Sequence, residues 1–141
     1  MTMTVHVDIV SAENEIFSGL AEMIFAPAEL GEVGISPRHA PFLSKLNPGE
    51  VRVKVSETES YPFFISGGIL EVQPHLVTIL ADTAIRAKDI DESAALEAKA
   101  KAEEALQDKT GKIDFEAAHT QLTQAIMQLR TLDRVRKRGG H

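Results

Sequence analysis

The sequence contains no cysteine and no tryptophan. Without thiols there is no disulfide framework and no thiolate to hold a metal or attack a substrate, which fits a reducing compartment. Aromatic residues make up only 5% of the chain and are not interleaved with cations, so there is no platform on which nucleic-acid bases would stack. No apolar run approaches the roughly 20 residues that a membrane span needs, so any membrane link is expected to go through another protein. The opening MTMTVHVDIV lacks the basic stretch and apolar run of a signal peptide. The histidines (His6, His39, His75, His119 and His141) form no H-x-x-x-H pair, which argues against zinc. SGGIL lacks the Lys-Ser/Thr of a phosphate-binding loop.

The 141 residues suit one ordinary domain, or two small ones sharing a modest core. The formal net charge is −6, and residues 1–87 hold nearly all the excess acid. Such a body repels phosphate, so nucleic acid is not an expected partner. Residues 88–141 balance overall, but Arg130, Arg134, Arg136, Lys137 and Arg138 crowd their end. Two readings stay open there: a solvated helix end whose cations suit the negative dipole, or a surface for an acidic partner.

From Thr4 to Asp82 the chain has a period of two. Val5, Val7 and Ile9 alternate with Thr4, His6 and Asp8, and VRVKV at 51–55 repeats the pattern. GILEVQ and LVTILAD flank a hairpin turn at Pro74-His75. Gly19, Gly31, Gly34, Gly49, Gly67 and Gly68 punctuate the apolar runs, where turns and bulges are expected. Together these features predict an antiparallel β-sandwich or flattened barrel over residues 1–86.

At Lys88 the pattern changes to strong helix formers. Asp89 with Glu92 resembles a capping box, Thr110-Gly111-Lys112 breaks the helix, and Asp114 caps a second one. Phe115, Ala118, Leu122, Ala125, Ile126, Leu129 and Leu132 then share a face. Residues 87–141 are therefore expected to form an antiparallel two-helix hairpin. The first helix offers Ala95, Ala98, Ala102 and Ala105 to its neighbour, with Leu96 and Leu106 its only large apolar residues. At about 0.8 kcal/mol per buried methylene, such a seam docks weakly. A movable element and a thin but static hairpin are both compatible with this composition.

Ser36, Arg38 and His39 crowd the stretch GISPRHAPFL, just after Glu32. A nucleophilic triad needs a base beside the hydroxyl and a third group to orient the base. Pro37 and Pro41 stiffen the segment, and there is no G-x-S-x-G elbow. A proline-braced loop returning into a strand is the expected structure. No catalytic apparatus emerges, and the chain reads as a scaffold that binds other proteins.

Four stretches carry a resemblance that runs over nearly the whole chain. VDIVSAENEIFSG, GEVGISPRHAPFL, SGGILEVQPHLVTILADTAIR and DIDESAALEAKAKAEEAL resemble the epsilon-subunit family of bacterial F-type ATP synthases. The resemblance implies a non-catalytic central-stalk rotor subunit of a proton-translocating synthase, peripheral on the cytoplasmic face of the bacterial plasma membrane. Its sandwich would hold the gamma subunit and rest on the c-ring loops, with Glu29, Glu32, Arg38, His39 and Pro41 near those contacts. Arg38 stands where many members have glycine. The hairpin would extend toward the alpha and beta subunits and block ATP hydrolysis, with Arg130, Arg134, Arg136 and Lys137 meeting an acidic segment of beta. Some members bind ATP as a regulatory ligand on the hairpin, which implicates Arg86, Ile90 and Asp91. Here Ala94, Gln124 and Gln128 stand where those members carry arginine, removing the main phosphate partners.

Two rival readings remain: a freestanding small-molecule-binding sandwich, and a small hydrolase using His39. For ATP, titration calorimetry on the isolated chain is expected to detect weak binding or none. Micromolar affinity would contradict that reading of positions 94, 124 and 128.

Overall fold

The computed structural model describes residues 3–108, Gly111 and residues 114–138. Thr110 and Lys112 of the expected helix break, and His141, lie outside the described residues. The strands are β1 (Val5–Ser11), β2 (Glu15–Ala21), β3 (Met23–Ala28), β4 (Gly31–Ile35) and β5 (Phe42–Leu46), followed by β6 (Gly49–Lys54), β7 (Ser60–Ile65), β8 (Gly68–Val72), β9 (Leu76–Ala81) and β10 (Ala84–Arg86). A single 3-10 turn, Ala87–Asp89, leads to helices α1 (Glu92–Leu106) and α2 (Phe115–Lys137).

The ten strands form one sheet in the order β10-β7-β6-β3-β5-β8-β9-β1-β2, with β4 branching from β3. Neighbours run antiparallel except β1, which pairs in parallel with β9. The sheet curls until its two ends nearly meet. There the Arg86 guanidinium of β10 donates to the Ile16 carbonyl of β2 at 2.9 Å and lies over the Phe63 ring at 5.5 Å. Phe17 of β2 meets Phe63 edge-on at 5.8 Å. The result is the expected flattened barrel followed by a two-helix hairpin.

The period of two in the sequence becomes an inside and an outside. Val5, Val7 and Ile9 of β1, Val51 and Val53 of β6, Phe63 and Ile65 of β7, and Val77 and Ile79 of β9 all enter one core. Gly68 occupies a tight crossing in this wall. Its φ is 148°, and an added Cβ would lie 2.1 Å from the Leu80 carbonyl oxygen.

Of the six glycines expected at turns, Gly19, Gly31, Gly34, Gly49 and Gly68 belong to strands, and Gly67 lies between β7 and β8. Gly34 is there for close approach: a Cβ at this position would come within 2.8 Å of Met23 Cε. The helix start also differs from the expected capping box. Asp91, not Asp89, caps α1 by accepting from the Ala94 N–H at 3.0 Å. The delay has a packing reason. Ile90 is held extended and buried beside Phe64 and Ala87, so the helix cannot begin until that side chain is seated. Asp114 caps α2 as expected, accepting from the Glu116 and Ala117 N–H groups.

Only alanines of α1, Ala95 and Ala102, are buried, and they lie seven residues apart on one stripe. Ala98 and Leu96 face solvent instead. On α2, Ala118 and Ala125 are buried, while Leu122, Ile126, Leu129 and Leu132 are half-buried and Phe115 is exposed. The helices thus meet through small side chains.

Gly68→Ala combines a disallowed φ with a backbone clash. It is expected to cost about 2 kcal/mol or more in urea unfolding of the full chain.

Candidate functional site

The hairpin docks on the outer face of β6 and β7 through α2. The contact is a second, small core: Phe64, Ala87 and Ile90 are buried, with Ile85, Met127, Leu132 and Val135 packed around them. Phe64 points outward because Phe63 and Ile65, its neighbours along the strand, point inward. Beside Phe64 in register stands Glu50. Glu50 is only 5% exposed, and it and Thr131 are the buried polar side chains among the described residues.

A buried carboxylate requires partners, and α2 supplies them. Arg138 is the C-cap of α2 and meets Glu50 as a fork, Nη1 donating to Oε1 at 3.3 Å and Nη2 to Oε2 at 2.5 Å. Arg134, one helical turn earlier, places Nη1 3.8 Å from Oε1. The two-pronged geometry is the strong form of such a pair. A second tie joins the ends of the hairpin, where Arg136 donates through both terminal nitrogens to the Glu92 carboxylate in the first turn of α1. That tie fixes the antiparallel arrangement. The Arg136 hydrogen bonds, and then its charge, hold the Glu92 carboxyl below its ordinary value.

The structure therefore divides the expected tail cations. Arg134 and Arg136 are spent on intramolecular partners, Lys137 pairs with Asp133 on its own helix at 3.0 Å, and Arg130 stays exposed at the rim of a small cleft beside Glu32 and Glu50. The candidate nucleotide residues also have structural partners. Arg86 clasps β2, Ile90 belongs to the docking core, and Asp91 caps α1. Arg86 and Ile90 line a cleft of about 550 Å³ between the sandwich and the hairpin, together with Lys88 and Arg136. Ala94 is exposed, and Gln124 and Gln128 are half-buried on α2.

On the other wall the strands leave apolar side chains outside. Leu43 of β5, Ile69 of β8 and Leu80 of β9 are 69%, 46% and 51% exposed. Ile69 and Leu80 are register partners, and Ile69 also pairs with Lys45, two residues from Leu43. They form a strip that runs toward the β3–β4 turn, where Leu30 is wholly exposed. Glu29 and Glu32 border the same groove as Leu43 and Ile69. Composition alone does not single out this strip. The signal for it is the second set of apolar residues, Ile69 in GIL and Leu80 in TILA, at the outward positions of alternating strands.

The five residues expected near partner contacts do not form one cluster. Glu29 and Glu32 lie at one end of β5, while Arg38, His39 and Pro41 precede its other end. Arg38 adopts φ 62°, the left-handed region, and its N–H donates to the Pro74 carbonyl at 3.1 Å. That conformation accounts physically for a position where glycine would serve. The His39 N–H donates to the Ser36 carbonyl at 3.2 Å, and its ring Nδ1 lies 2.7 Å from the Ala40 carbonyl oxygen.

A Ser-His-Asp grouping does exist elsewhere on the sandwich. His6 Nε2 lies 2.8 Å from Asp8 Oδ1 and 3.1 Å from Ser18 Oγ. However, the Ser18 hydroxyl donates to Asp8 Oδ1 at 2.7 Å, so its proton is held by the carboxylate and not by the imidazole. This is a cross-strand polar cluster, as expected for a histidine on a strand face.

Comparison with known proteins supplies the remaining evidence. A family model described as ATP synthase, Delta/Epsilon chain, beta-sandwich domain matches residues 4–87, and one described as ATP synthase, Delta/Epsilon chain, long alpha-helix domain matches residues 88–133. The chain is 61% identical to the ATP synthase epsilon chain of Nitrosococcus oceani over 99% of its own length and 100% of that protein. It is 64% identical to ATP synthase epsilon chain 1 of Methylococcus capsulatus over 97% and 98%. Its fold superposes with a TM-score of 0.81 on a chain of the Euglena gracilis mitochondrial ATP synthase, at 19% identity over 92% of this chain and 81% of that one. A chain of the central stalk/c-ring assembly of the Tetrahymena thermophila mitochondrial ATP synthase gives a TM-score of 0.59 at 15% identity, over 92% and 96%.

The Glu92–Arg136 tie sets a pH dependence. The Glu92 carboxyl is lowered in the folded chain, so the tie is present at and above the ordinary carboxylate range and is lost as pH falls through the lowered folded value. An NMR titration of the Glu92 side chain should show its inflection below the ordinary glutamate value. Arg136→Gln should return that inflection to the ordinary value.

Proposed function

This chain belongs to the epsilon-chain family of ATP synthase subunits, and we propose that its sandwich anchors it in the rotor while its hairpin acts as a detachable brake on ATP hydrolysis. The family makes it a non-catalytic subunit of the complex. The proposal divides the labour between residues 1–86, which grip, and residues 87–141, which move.

The observation that carries this reading is the thinness of the docking contact. Leu132, Met127 and Val135 of α2 meet Phe64 and Ile85 of the body and Ala87 and Ile90 of the connecting segment. Burying such residues contributes about 1.5–3 kcal/mol each at full burial, and several here are only half-buried. A ligand that favours the extended form by about 5.5 kcal/mol moves an equilibrium from 1:99 to 99:1. Burial of the helices against a partner, together with ion pairs from Arg130, Arg134, Arg136 and Lys137 to an acidic segment of beta, would supply part of that difference.

The anchoring surface in this proposal is the apolar strip Leu43–Ile69–Leu80 with the Glu29–Glu32 turn. Its partners are the gamma subunit and the loops of the c-ring, and Arg38, His39 and Pro41 border its far end. An exposed carboxylate on a basic loop contributes at most about 1 kcal/mol, so the apolar strip supplies most of the grip. The relatives' name and the central stalk/c-ring origin of a structural neighbour support a rotor position. Coupling to protons and a peripheral seat on the cytoplasmic face of a bacterial membrane belong to the same reading. No helix among the described residues is long and apolar enough to cross a membrane. Regulation by ATP is not required by this scheme.

Deleting Leu129–His141 tests the brake. ATP hydrolysis by the reconstituted complex should rise while the subunit still assembles. An unchanged rate in a fully assembled complex would count against inhibition by the hairpin.

A further inference from the structure

We propose that Glu50 is the latch of the docked hairpin: its carboxylate occupies, within the chain, the arginine fork that the tail would otherwise offer to an acidic partner. The inference rests on the reading that the hairpin detaches, and adds to it the residue that opposes detachment.

The geometry has three parts. First, Glu50 sits on the outer face of β6 beside Phe64, where nothing but α2 covers the docking core. At 5% exposure its charge is tolerable only while cations are at hand. Second, Arg134 and Arg138 are four residues apart, so their side chains leave α2 on the same side and converge on one carboxylate. Third, the Arg134 and Arg138 side chains are 54% and 37% exposed, so they hydrate easily once released. Undocking therefore exposes all three charges together, and the fork cannot grip an outside carboxylate while Glu50 fills it. Any acidic partner segment competes with Glu50 for the same donors. The pairing is local to this face, because Arg136, between the two arginines in sequence, points to Glu92 instead.

The test uses the full chain in isolation. Because the chain has no cysteine, labels can be placed at Thr58 and Gln121, both exposed, without removing any native thiol. Pulsed electron-spin distance measurement then reads docked and undocked populations. Glu50→Gln keeps shape and removes charge. It is expected to raise the undocked:docked ratio about tenfold, the effect of losing one charge-assisted fork that is partly screened by water. Arg134→Gln with Arg138→Gln leaves the buried carboxylate unpaired and should open the hairpin further than Glu50→Gln, and the triple variant should open no further than that double variant, since all the changes act on one interaction. Circular dichroism should show an intact fold in every variant. Unchanged distances in Glu50→Gln, or effects that simply add in the triple variant, would overturn the latch. Failure of the inhibitory reading looks different: the distances shift, yet truncation of the tail leaves hydrolysis in the complex unaltered.

Discussion

A carboxylate that is almost wholly buried needs a cation, and this need helps to organise the C-terminal half of the molecule. Glu50 projects from the outer face of the sheet, between strands that otherwise send hydrophobic side chains inward. Only the last turns of α2 bring positive charge to it, from residues 84 and 88 positions further along the chain. The apolar part of the contact is small, so the ion pair decides where α2 sits as much as the hydrophobic surface does. Charge pairs of this kind specify position better than they add stability, because both partners lose hydration on meeting.

The β body works under a different constraint. Its strands belong to one sheet whose path ends at β10 and β2, and unpaired edges invite association. Bringing β10 against β2 under Arg86 removes most of that liability and encloses a single core. Since β6, β7, β8 and β9 all contribute to that core, the outer faces of β6–β7 and of β8–β9 point away from one another. The hairpin occupies one outer face and the apolar strip lies on the other, so the proposed anchoring surface is open while the helices stay docked.

Much of this was legible in the residues. The alternation in β1 and β6, the turn at Pro74-His75 and the cap at Asp114 are local signals, and the structure follows them. The alanine stripe of α1 was also visible, though Ala98 lies outside it. What the residues concealed depended on distant chain. Glu50 reads as an ordinary polar residue at the start of a strand, because its burial is imposed by α2. The cap at Asp91 depends on Ile90 finding Phe64 in β7. Leu43, Ile69 and Leu80 were not singled out, because an apolar residue at an outward position is distinguishable only once the inward face is known. Arg38 gave no hint of its left-handed backbone beyond the resemblance to members with glycine there.

The clasp at Arg86 has a mechanical corollary. The residue that closes the sheet is the last before the short 3-10 turn leading to the helices. A force pulling on the hairpin reaches that turn first and is then met by a guanidinium anchored to β2 and seated over Phe63. In the proposed detachment the pivot would be the five residues from Ala87 to Asp91, and the Arg86 contacts would shield the final strand from being peeled away. Under the proposed function, the sandwich would thus keep its shape while the arm attached to it docks and undocks.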